Sequence, residues 1–158
     1  MSIRLGEFSP DQAAELAEIW HVGWHSSHPN LVPDKLTQLR TLESFEARLK
    51  EFKGGGSVAL LDGTPIGFCL WRDNELYQLF VSDKAQGKGV AQLLVNACLS
   101  DLRAQGAGIA YLDCAIGNDR AMGFYEKFGF VNKGPFDTTL DTSNGPFVLR
   151  CYRYEIDL

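Results

Sequence analysis

The order of apolar and polar residues predicts how the first third of the chain folds. Residues 2–8 alternate between the two kinds, as the residues of a half-buried strand do. From Asp11 to Trp24 the apolar residues recur every three or four positions, which predicts an amphipathic helix. A second helical region is predicted over residues 34–53, and the three glycines at positions 54–56 end it.

The middle of the chain favours strands that precede one long helix. Two apolar runs, residues 57–61 and 64–71, flank an Asp-Gly dipeptide, which favours the tight turn of a hairpin. Residues 75–81 are apolar and aromatic and predict a further strand. Beyond two glycines, the apolar residues of the stretch 90–102 recur at the spacing of one helix face.

The last third of the chain predicts shorter elements. Residues 109–115 read as a strand, 119–128 as a short helix and 130–133 as a short strand. The many Gly, Pro, Asp, Thr and Ser residues of the stretch 134–146 predict a loop, and residues 147–156 predict a closing strand. This order of elements indicates a mixed α/β fold rather than a doubly wound sheet.

Composition and charge narrow the classes of function. The length fits one domain that spans residues 1–158. The net charge of −5 and the pI near 5.1 argue against a nucleic-acid binder, whose surface is usually basic. No apolar run reaches the roughly 18 residues of a membrane span, and the first residues lack the pattern of a signal peptide. We therefore expect a cytoplasmic protein without a membrane or nucleic-acid partner.

The cysteines and histidines do not predict a metal site. The four cysteines stand far apart in apolar surroundings, at Cys69, Cys98, Cys114 and Cys151. Reduced and buried thiols are the expected state in a reducing compartment. A metal site needs clustered ligands, and His21, His25 and His28 have no such partners nearby in the sequence.

A turn with two glycines, Gly87 and Gly89, joins a predicted strand to the long helix. The first N–H groups of a helix have no partner within it and carry partial positive charge, so a phosphate fits there. A Walker A loop is excluded, because Val90 and Ala91 follow Gly89. A dinucleotide-binding motif fails too, since Gln92 stands at its third glycine position. A plain glycine turn remains the structural alternative.

A second motif lies downstream, in residues 118–130, NDRAMGFYEKFGF. Asn118 suits the N-cap of a short helix and Gly129 its left-handed end. This stretch resembles the N-x-x-A-x-x-F-Y-x-x-x-G-F motif of the GCN5-related N-acetyltransferases, the GNAT superfamily. Residues 86–91, QGKGVA, resemble the family's Q/R-x-x-G-x-G/A signature. The resemblance covers about residues 67–130, with both motifs in the family's order.

The resemblance implies a fold, a cosubstrate and a reaction. The GNAT fold has a central, mostly antiparallel twisted sheet flanked by helices, and the strands before and after its long helix splay apart. The cleft between them holds acetyl-CoA. The acetyl group then passes to a primary amine by direct attack in a ternary complex, and no metal is required.

The same resemblance assigns residues to the cofactor. The pyrophosphate would lie on the backbone N–H groups of Gln86, Gly87, Lys88, Gly89, Val90 and Ala91. Backbone groups of Leu79, Phe80 and Val81 would pair with the pantetheine arm, and the Leu79 N–H would act as an oxyanion donor. Lys88 would add a charged contact or simply be solvated. Asn118 would hydrogen-bond the arm, although its N-cap role explains it equally well.

Two side chains are candidates for the chemistry by the same resemblance. Tyr125 would contact the thioester sulfur and donate a proton to the leaving thiolate, or it is a core aromatic residue. Glu75 would take the proton of the amine, directly or through water, or it is a solvent-facing charge at the edge of a strand. Tyr77, on the same face of the strand, would line the same water chain.

The sequence leaves the acceptor open. Trp20, His21, Trp24, His25 and His28 form an aromatic, imidazole-rich stretch that would line its pocket, or else Trp20 is core and the histidines are surface. Aminoglycosides, polyamines, amino acids, peptide N-termini and lysine side chains all remain candidates. Two other classes of function also remain, a non-catalytic acyl-CoA-binding sensor and a small nucleotide-binding protein. A homodimer is compatible with the sequence.

Overall fold

The computed structural model describes residues 2–158, whose strands form one seven-stranded sheet. The strands are β1 (Ile3–Glu7), β2 (Gly55–Leu61), β3 (Thr64–Arg72), β4 (Glu75–Val81), β5 (Ile109–Ala115), β6 (Val131–Thr142) and β7 (Gly145–Asp157). Their order across the sheet is β1-β2-β3-β4-β5-β7-β6. Neighbouring strands run antiparallel except β4 and β5, so the predicted mixed α/β class with a mostly antiparallel sheet is confirmed.

Helices cover both faces of this sheet. They are α1 (Ala13–Ser27), α2 (Asp34–Leu39), α3 (Leu42–Glu51), α4 (Val90–Ala104) and α5 (Asp119–Phe128). Successive strand residues point to opposite faces. Phe68 and Leu70 accordingly pack with α1 and α3, whereas Cys69 packs with α4 in a second hydrophobic cluster. Within residues 2–158 no helix is both long and apolar enough to cross a membrane.

A side chain defines the first end of α5 and a glycine the second, in the short helix beside the predicted cofactor site. The Asn118 side-chain oxygen accepts a hydrogen bond from the Ala121 N–H at 3.4 Å, as an N-cap does. Gly129 ends the helix with a φ of 124°, a conformation that favours glycine. The predicted boundaries of this helix are therefore correct, and its position is fixed at both ends.

The region 34–53 holds two separate helices, a division that the sequence analysis did not predict. Helix α2 ends at Leu39, because Arg40 has a φ of −90° and a ψ of 66°. Thr41 then caps α3, and its hydroxyl accepts a hydrogen bond from the Ser44 N–H at 3.1 Å. A threonine directly before an apolar residue is a helix start signal that could have revealed the division.

The loop predicted over residues 134–146 is wrong. Most of this stretch belongs to β6, which pairs with β7 in a long hairpin that closes at Thr142 and Gly145. Its Pro and Gly residues suggested a turn, but β6 is the edge strand of the sheet, where a proline removes no needed hydrogen bond. The pairing register shifts between Asn132 and Pro135, and this irregularity accommodates the glycine and proline.

Two irregularities in β4 prepare the site. Beyond the bridge between Glu75 and Tyr111, β4 and β5 are no longer paired, so the strands splay apart as the resemblance implied. On the other edge, β3 pairs with Leu76 and Gln78 and skips Tyr77, which makes a β-bulge there. The bulge re-aims the side chains that follow, and the unpaired edge of β4 leaves backbone groups facing the gap.

Candidate active site

A cleft of about 470 Å³ occupies the gap between β4 and β5. Its walls come from these two strands, the start of α4, helix α5 and the end of α1. Most of the predicted cofactor residues line it, namely Leu79, Phe80, Val81, Gln86, Gly87, Gly89, Val90, Ala91, Asn118 and Tyr125. The exposed Lys88 and the partly buried Glu75 are not among its lining residues.

The glycine turn leaves the first turn of α4 open. Gly87 and Gly89 have φ values of 76° and 73°, which glycine adopts without strain. A Cβ atom at either position would meet no atom within 4 Å, and no side chain caps the helix. The first backbone N–H groups of α4 can therefore bind an anion, and the residues present fit a phosphate group.

Gln86 links this turn to two neighbouring elements. Its side-chain amide donates to the Val81 carbonyl oxygen at 3.1 Å, and its oxygen accepts a short hydrogen bond from Arg120 of α5. The side chain thus holds the end of β4, the turn and α5 in one arrangement. Both contacts of the Gln86 side chain are therefore structural. Arg120 also adds a positive charge to the same end of the cleft.

Tyr125 lies in the wall of the cleft with its ring buried. It packs edge-on against Phe124 and Phe130, at ring-centroid distances of 5.4 and 5.6 Å. Among residues 2–158, no side chain or backbone group hydrogen-bonds its hydroxyl. Burial raises the pKa of Tyr125 well above its ordinary value, so the phenol stays protonated at neutral pH. A protonated hydroxyl beside the gap can donate a proton or a hydrogen bond.

A second cavity of about 190 Å³ adjoins the cleft. Tyr77, Gln78 and Asp113 line both spaces, which adjoin at these three residues. Glu75 lies in this second cavity, with its side chain 14% exposed and 3.0 Å from the Arg72 guanidinium. Burial raises the pKa of Glu75, and the hydrogen bond to Arg72 opposes the increase. The buried carboxylate is therefore not a freely solvated strand-edge charge.

Asp113 is a buried carboxylate that the sequence analysis missed. Its side chain is 6% exposed and accepts two hydrogen bonds from Arg153, at 2.8 and 2.9 Å, and one from Thr138 at 3.0 Å. A charged residue within the apolar strand sequence IAYLDCA was the signal that could have identified it. Asp113 forms part of the boundary between the cleft and the second cavity.

Only one residue of the aromatic, imidazole-rich stretch lines the cleft. Trp20 and Trp24 are buried in the core, and His28 reaches the cleft wall from the end of α1. The His28 ring stacks on Trp24 at 5.0 Å, and its Nδ1 lies 2.7 Å from the Ser27 hydroxyl. Burial lowers the pKa of His28 to about 4, so the ring is neutral at pH 7.

The two spaces differ in their chemistry, and together they suit a reaction between two molecules. The cleft offers a helix N-terminus for an anion, an unpaired strand edge for an extended chain and a phenol. The second cavity offers carboxylates and guanidinium groups. No cluster of three or more His, Cys, Asp or Glu residues that could hold a metal occurs within residues 2–158.

Comparison with known proteins identifies relatives of this fold. Residues 11–130 match the acetyltransferase (GNAT) family. An uncharacterized N-acetyltransferase of Methanocaldococcus jannaschii is 28% identical over 100 residues, which cover 56% of this chain. The match spans 44% of the length of that curated relative.

Two solved structures share the fold over nearly their whole length. A GCN5-related N-acetyltransferase of Rhodopseudomonas palustris is 22% identical with a TM-score of 0.78, covering 100% of this chain and 97% of its own. The PaiA N-acetyltransferase of Thermoplasma acidophilum, solved in complex with coenzyme A, is 18% identical with a TM-score of 0.71 and full coverage of both chains. At these identities the likeness establishes the fold.

Proposed function

Because this chain belongs to the acetyltransferase (GNAT) family, we propose that it is an acetyl-CoA-dependent N-acetyltransferase. The acetyl group would pass to a primary amine by direct attack in a ternary complex. The observation that carries this proposal is the cleft between β4 and β5, with an open helix N-terminus at one end and Tyr125 in its wall. The structurally similar PaiA enzyme was solved with coenzyme A, which agrees with the proposed cosubstrate.

The cofactor would lie along the cleft in an extended conformation. Its pyrophosphate would accept hydrogen bonds from the backbone of residues 86–91, where Gly89 allows close approach. The pantetheine arm would pair with the free edge of β4 at Leu79, Phe80 and Val81, as an added strand does. Asn118 lines the same cleft, but its side chain already caps α5, so its contact to the arm is the weaker part of the assignment.

The reacting groups would meet where β4 and α5 face each other. The Leu79 N–H would donate to the thioester oxygen as negative charge develops on it. The amine nitrogen bonds to the acetyl carbon, the carbon–sulfur bond breaks, and the departing sulfur takes the proton of Tyr125. The phenolate of Tyr125 would regain a proton from water as the products leave. The raised pKa of Tyr125 ensures that the proton is present at neutral pH.

Glu75 would accept the proton that the amine loses. Its raised pKa makes it a stronger base than a solvated glutamate, and it lies in the cavity that adjoins the cleft. Glu75 lines the second cavity but not the cleft, so the proton of an amine that attacks at the cleft would reach it through a water molecule. The amine then arrives from the second cavity, and acetyl-CoA occupies the cleft.

Binding and turnover are tested separately. Acetyl-CoA at millimolar concentration should raise the melting temperature, because the cleft exists only in the folded chain. ATP and NAD serve as controls for a general nucleotide site. Release of free thiol from acetyl-CoA with a panel of primary amines then tests transfer. A melting shift without thiol release would favour the non-catalytic sensor, and no shift at all would contradict the cofactor assignment.

A further inference from the structure

Arg48 of α3 carries a positive charge that no carboxylate of the described chain neutralises. Its side chain lines the second cavity, and its guanidinium lies 4.5 Å from the centre of the Trp20 ring. Its Nη2 donates one hydrogen bond, to the hydroxyl of Tyr77 at 2.6 Å, and its Nε is buried without a partner. A guanidinium has five N–H donors, so Arg48 retains the capacity to bind an anion.

The other arginines of the cavity are already neutralised. Arg72 pairs with Glu75 at 3.0 Å and with Asp141 at 3.3 Å, and Arg153 holds Asp113 with two hydrogen bonds. Arg72 thus holds two carboxylates and Arg153 a third, in two separate ion-pair groups. Arg48 belongs to neither group, so among the lining residues of the described chain it is the guanidinium without a carboxylate partner.

A second arginine, Arg40, does not line the second cavity but adds to the positive charge of Arg48. Arg40 is 3% exposed, its Nη1 donates to the backbone oxygen of Asp141 at 2.6 Å, and its Nε has no partner. Burial, followed by repulsion from Arg48, lowers the pKa of Arg40 to about 10, so Arg40 is still charged at pH 7. An anion bound beside Arg48 would relieve this repulsion.

We propose that the second cavity binds the acceptor and that the acceptor is a small amine which also carries a carboxylate, held by Arg48. This inference rests on the proposed function and names the substrate class for it. The volume of about 190 Å³ is below the roughly 300–1,000 Å³ of pockets for drug-sized ligands, and suits a molecule of amino-acid size. A polyamine offers no anion for Arg48.

The charges of the cavity also fix how such an acceptor would lie. Its carboxylate would pair with Arg48 at the α3 side, where the planar guanidinium matches a carboxylate in two hydrogen bonds. Its amine would then lie toward Gln78 and Asp113, the wall that the cavity shares with the cleft. That orientation directs the nitrogen to the acetyl group and leaves Glu75 nearby as the base.

The test compares amines that differ only in the carboxylate. The panel consists of the natural L-amino acids, their amides and the corresponding decarboxylated amines. Binding to the protein saturated with coenzyme A is measured by calorimetry, and transfer from acetyl-CoA by thiol release. We expect at least one amino acid to bind roughly tenfold or more tightly than its amide, the effect of a charge-assisted hydrogen bond. Equal binding of acids and amides across the panel would overturn the proposal.

Variants locate the preference at Arg48. In Arg48→Gln the ratio between an amino acid and its amide should fall by roughly tenfold, while Arg48→Lys should keep part of it. Lys50→Gln on the same helix is the matched control, because Lys50 is exposed and pairs with Glu46 outside the cavity. Coenzyme A affinity and the melting temperature report whether each variant is folded. An unchanged ratio in folded Arg48→Gln would also overturn the proposal.

The two measurements keep the two proposals apart. Carboxylate-dependent binding without thiol release would leave the carboxylate-binding role of Arg48 intact and contradict the transferase activity. Thiol release with amides and simple amines as readily as with amino acids would leave the transferase activity intact and contradict the carboxylate requirement.

Discussion

The cleft and the second cavity are built from different parts of the chain in different ways. The cleft presents the backbone of the free edge of β4 and of the first turn of α4, and its lining residues lie in three stretches of sequence, 23–28, 76–92 and 112–125. The second cavity consists of side chains from α3, β3, β4, β5, β6 and β7. Backbone groups recognise what every cosubstrate of one kind shares, whereas side chains distinguish one acceptor from another.

This difference explains why the cleft could be predicted from the sequence and the second cavity could not. A glycine turn and a capped helix are local patterns, and local patterns can be read without knowing the fold. The approach of Arg48 to Tyr77 joins residues that are 29 positions apart, and Arg40 approaches Asp141 over 101 positions. Such contacts depend on the sheet order, so an acceptor site of this kind becomes visible only in the folded chain.

The strongest test of the cleft is a side chain at Gly89. Gly89→Glu adds a negative charge at the N-terminus of α4 and removes room for the phosphates. Loss of two charge-assisted hydrogen bonds, each worth about 1.5 kcal/mol, predicts that acetyl-CoA affinity falls roughly 100-fold or more. Calorimetric titration with acetyl-CoA measures the effect.

Gly89→Ala is the matched control, since both variants bear the strain of a positive φ, roughly 1–2 kcal/mol. The alanine variant should lose stability to the same extent and much less affinity. Equal affinities of Gly89→Glu and Gly89→Ala would mean that the phosphates bind elsewhere.

The next largest effect is expected at Tyr125. Tyr125→Phe keeps the ring packing and removes the proton donor, so kcat should fall about 100-fold with little change in acetyl-CoA affinity. We expect the low end of the usual range because a thiolate leaves more easily than an alkoxide. Steady-state rates are compared under conditions where the chemical step limits turnover.

Tyr154→Phe controls for the loss of a buried phenol. Tyr154 lies beside Tyr125, at a ring-centroid distance of 6.3 Å, and its hydroxyl donates to Glu126 at 2.7 Å outside the cleft. This variant should lose stability rather than kcat. A wild-type kcat in Tyr125→Phe would show that Tyr125 is a packing residue.

The sequence predicted the fold well where one periodic pattern decides an element. The alternating strands, the long helix α4 and the capped helix α5 all occur close to their predicted positions. The prediction failed over residues 134–146, because a Pro- and Gly-containing edge strand has the composition of a loop. It also missed Asp113 and Arg48, whose surroundings come from distant strands and helices.

A smaller effect on activity is expected at Glu75. Its test distinguishes the proposed base from the other carboxylates of the second cavity. A base must be deprotonated, so kcat/KM should rise with pH through the pKa of Glu75, which burial has raised. Glu75→Gln should abolish that rising limb and lower the plateau roughly tenfold or more. Asp141→Asn removes the other carboxylate partner of Arg72 and should keep the limb. A limb that persists in Glu75→Gln would assign the proton to water or another group.

The smallest effect is on the pH dependence of stability and concerns His28, the imidazole of the cleft wall. The second cavity, by contrast, has no histidine among its lining residues within the described chain. Burial lowers the pKa of His28 from 6.5 to about 4 in the folded protein. Between these values the unfolded chain binds a proton that the folded chain does not. The free energy of unfolding therefore falls as the pH drops below 6.5, and this loss is complete near pH 4.

From pH 7 to pH 5.5 this linkage should cost about 1 kcal/mol, which His28→Gln should remove because glutamine does not titrate. Urea unfolding at the two pH values gives the difference for each protein, so any uniform change in stability caused by the substitution cancels. His21→Gln, on the same helix but away from the cleft wall, is the control and should keep the wild-type dependence. If His28→Gln loses as much stability as the wild type over this range, another group controls the acid sensitivity.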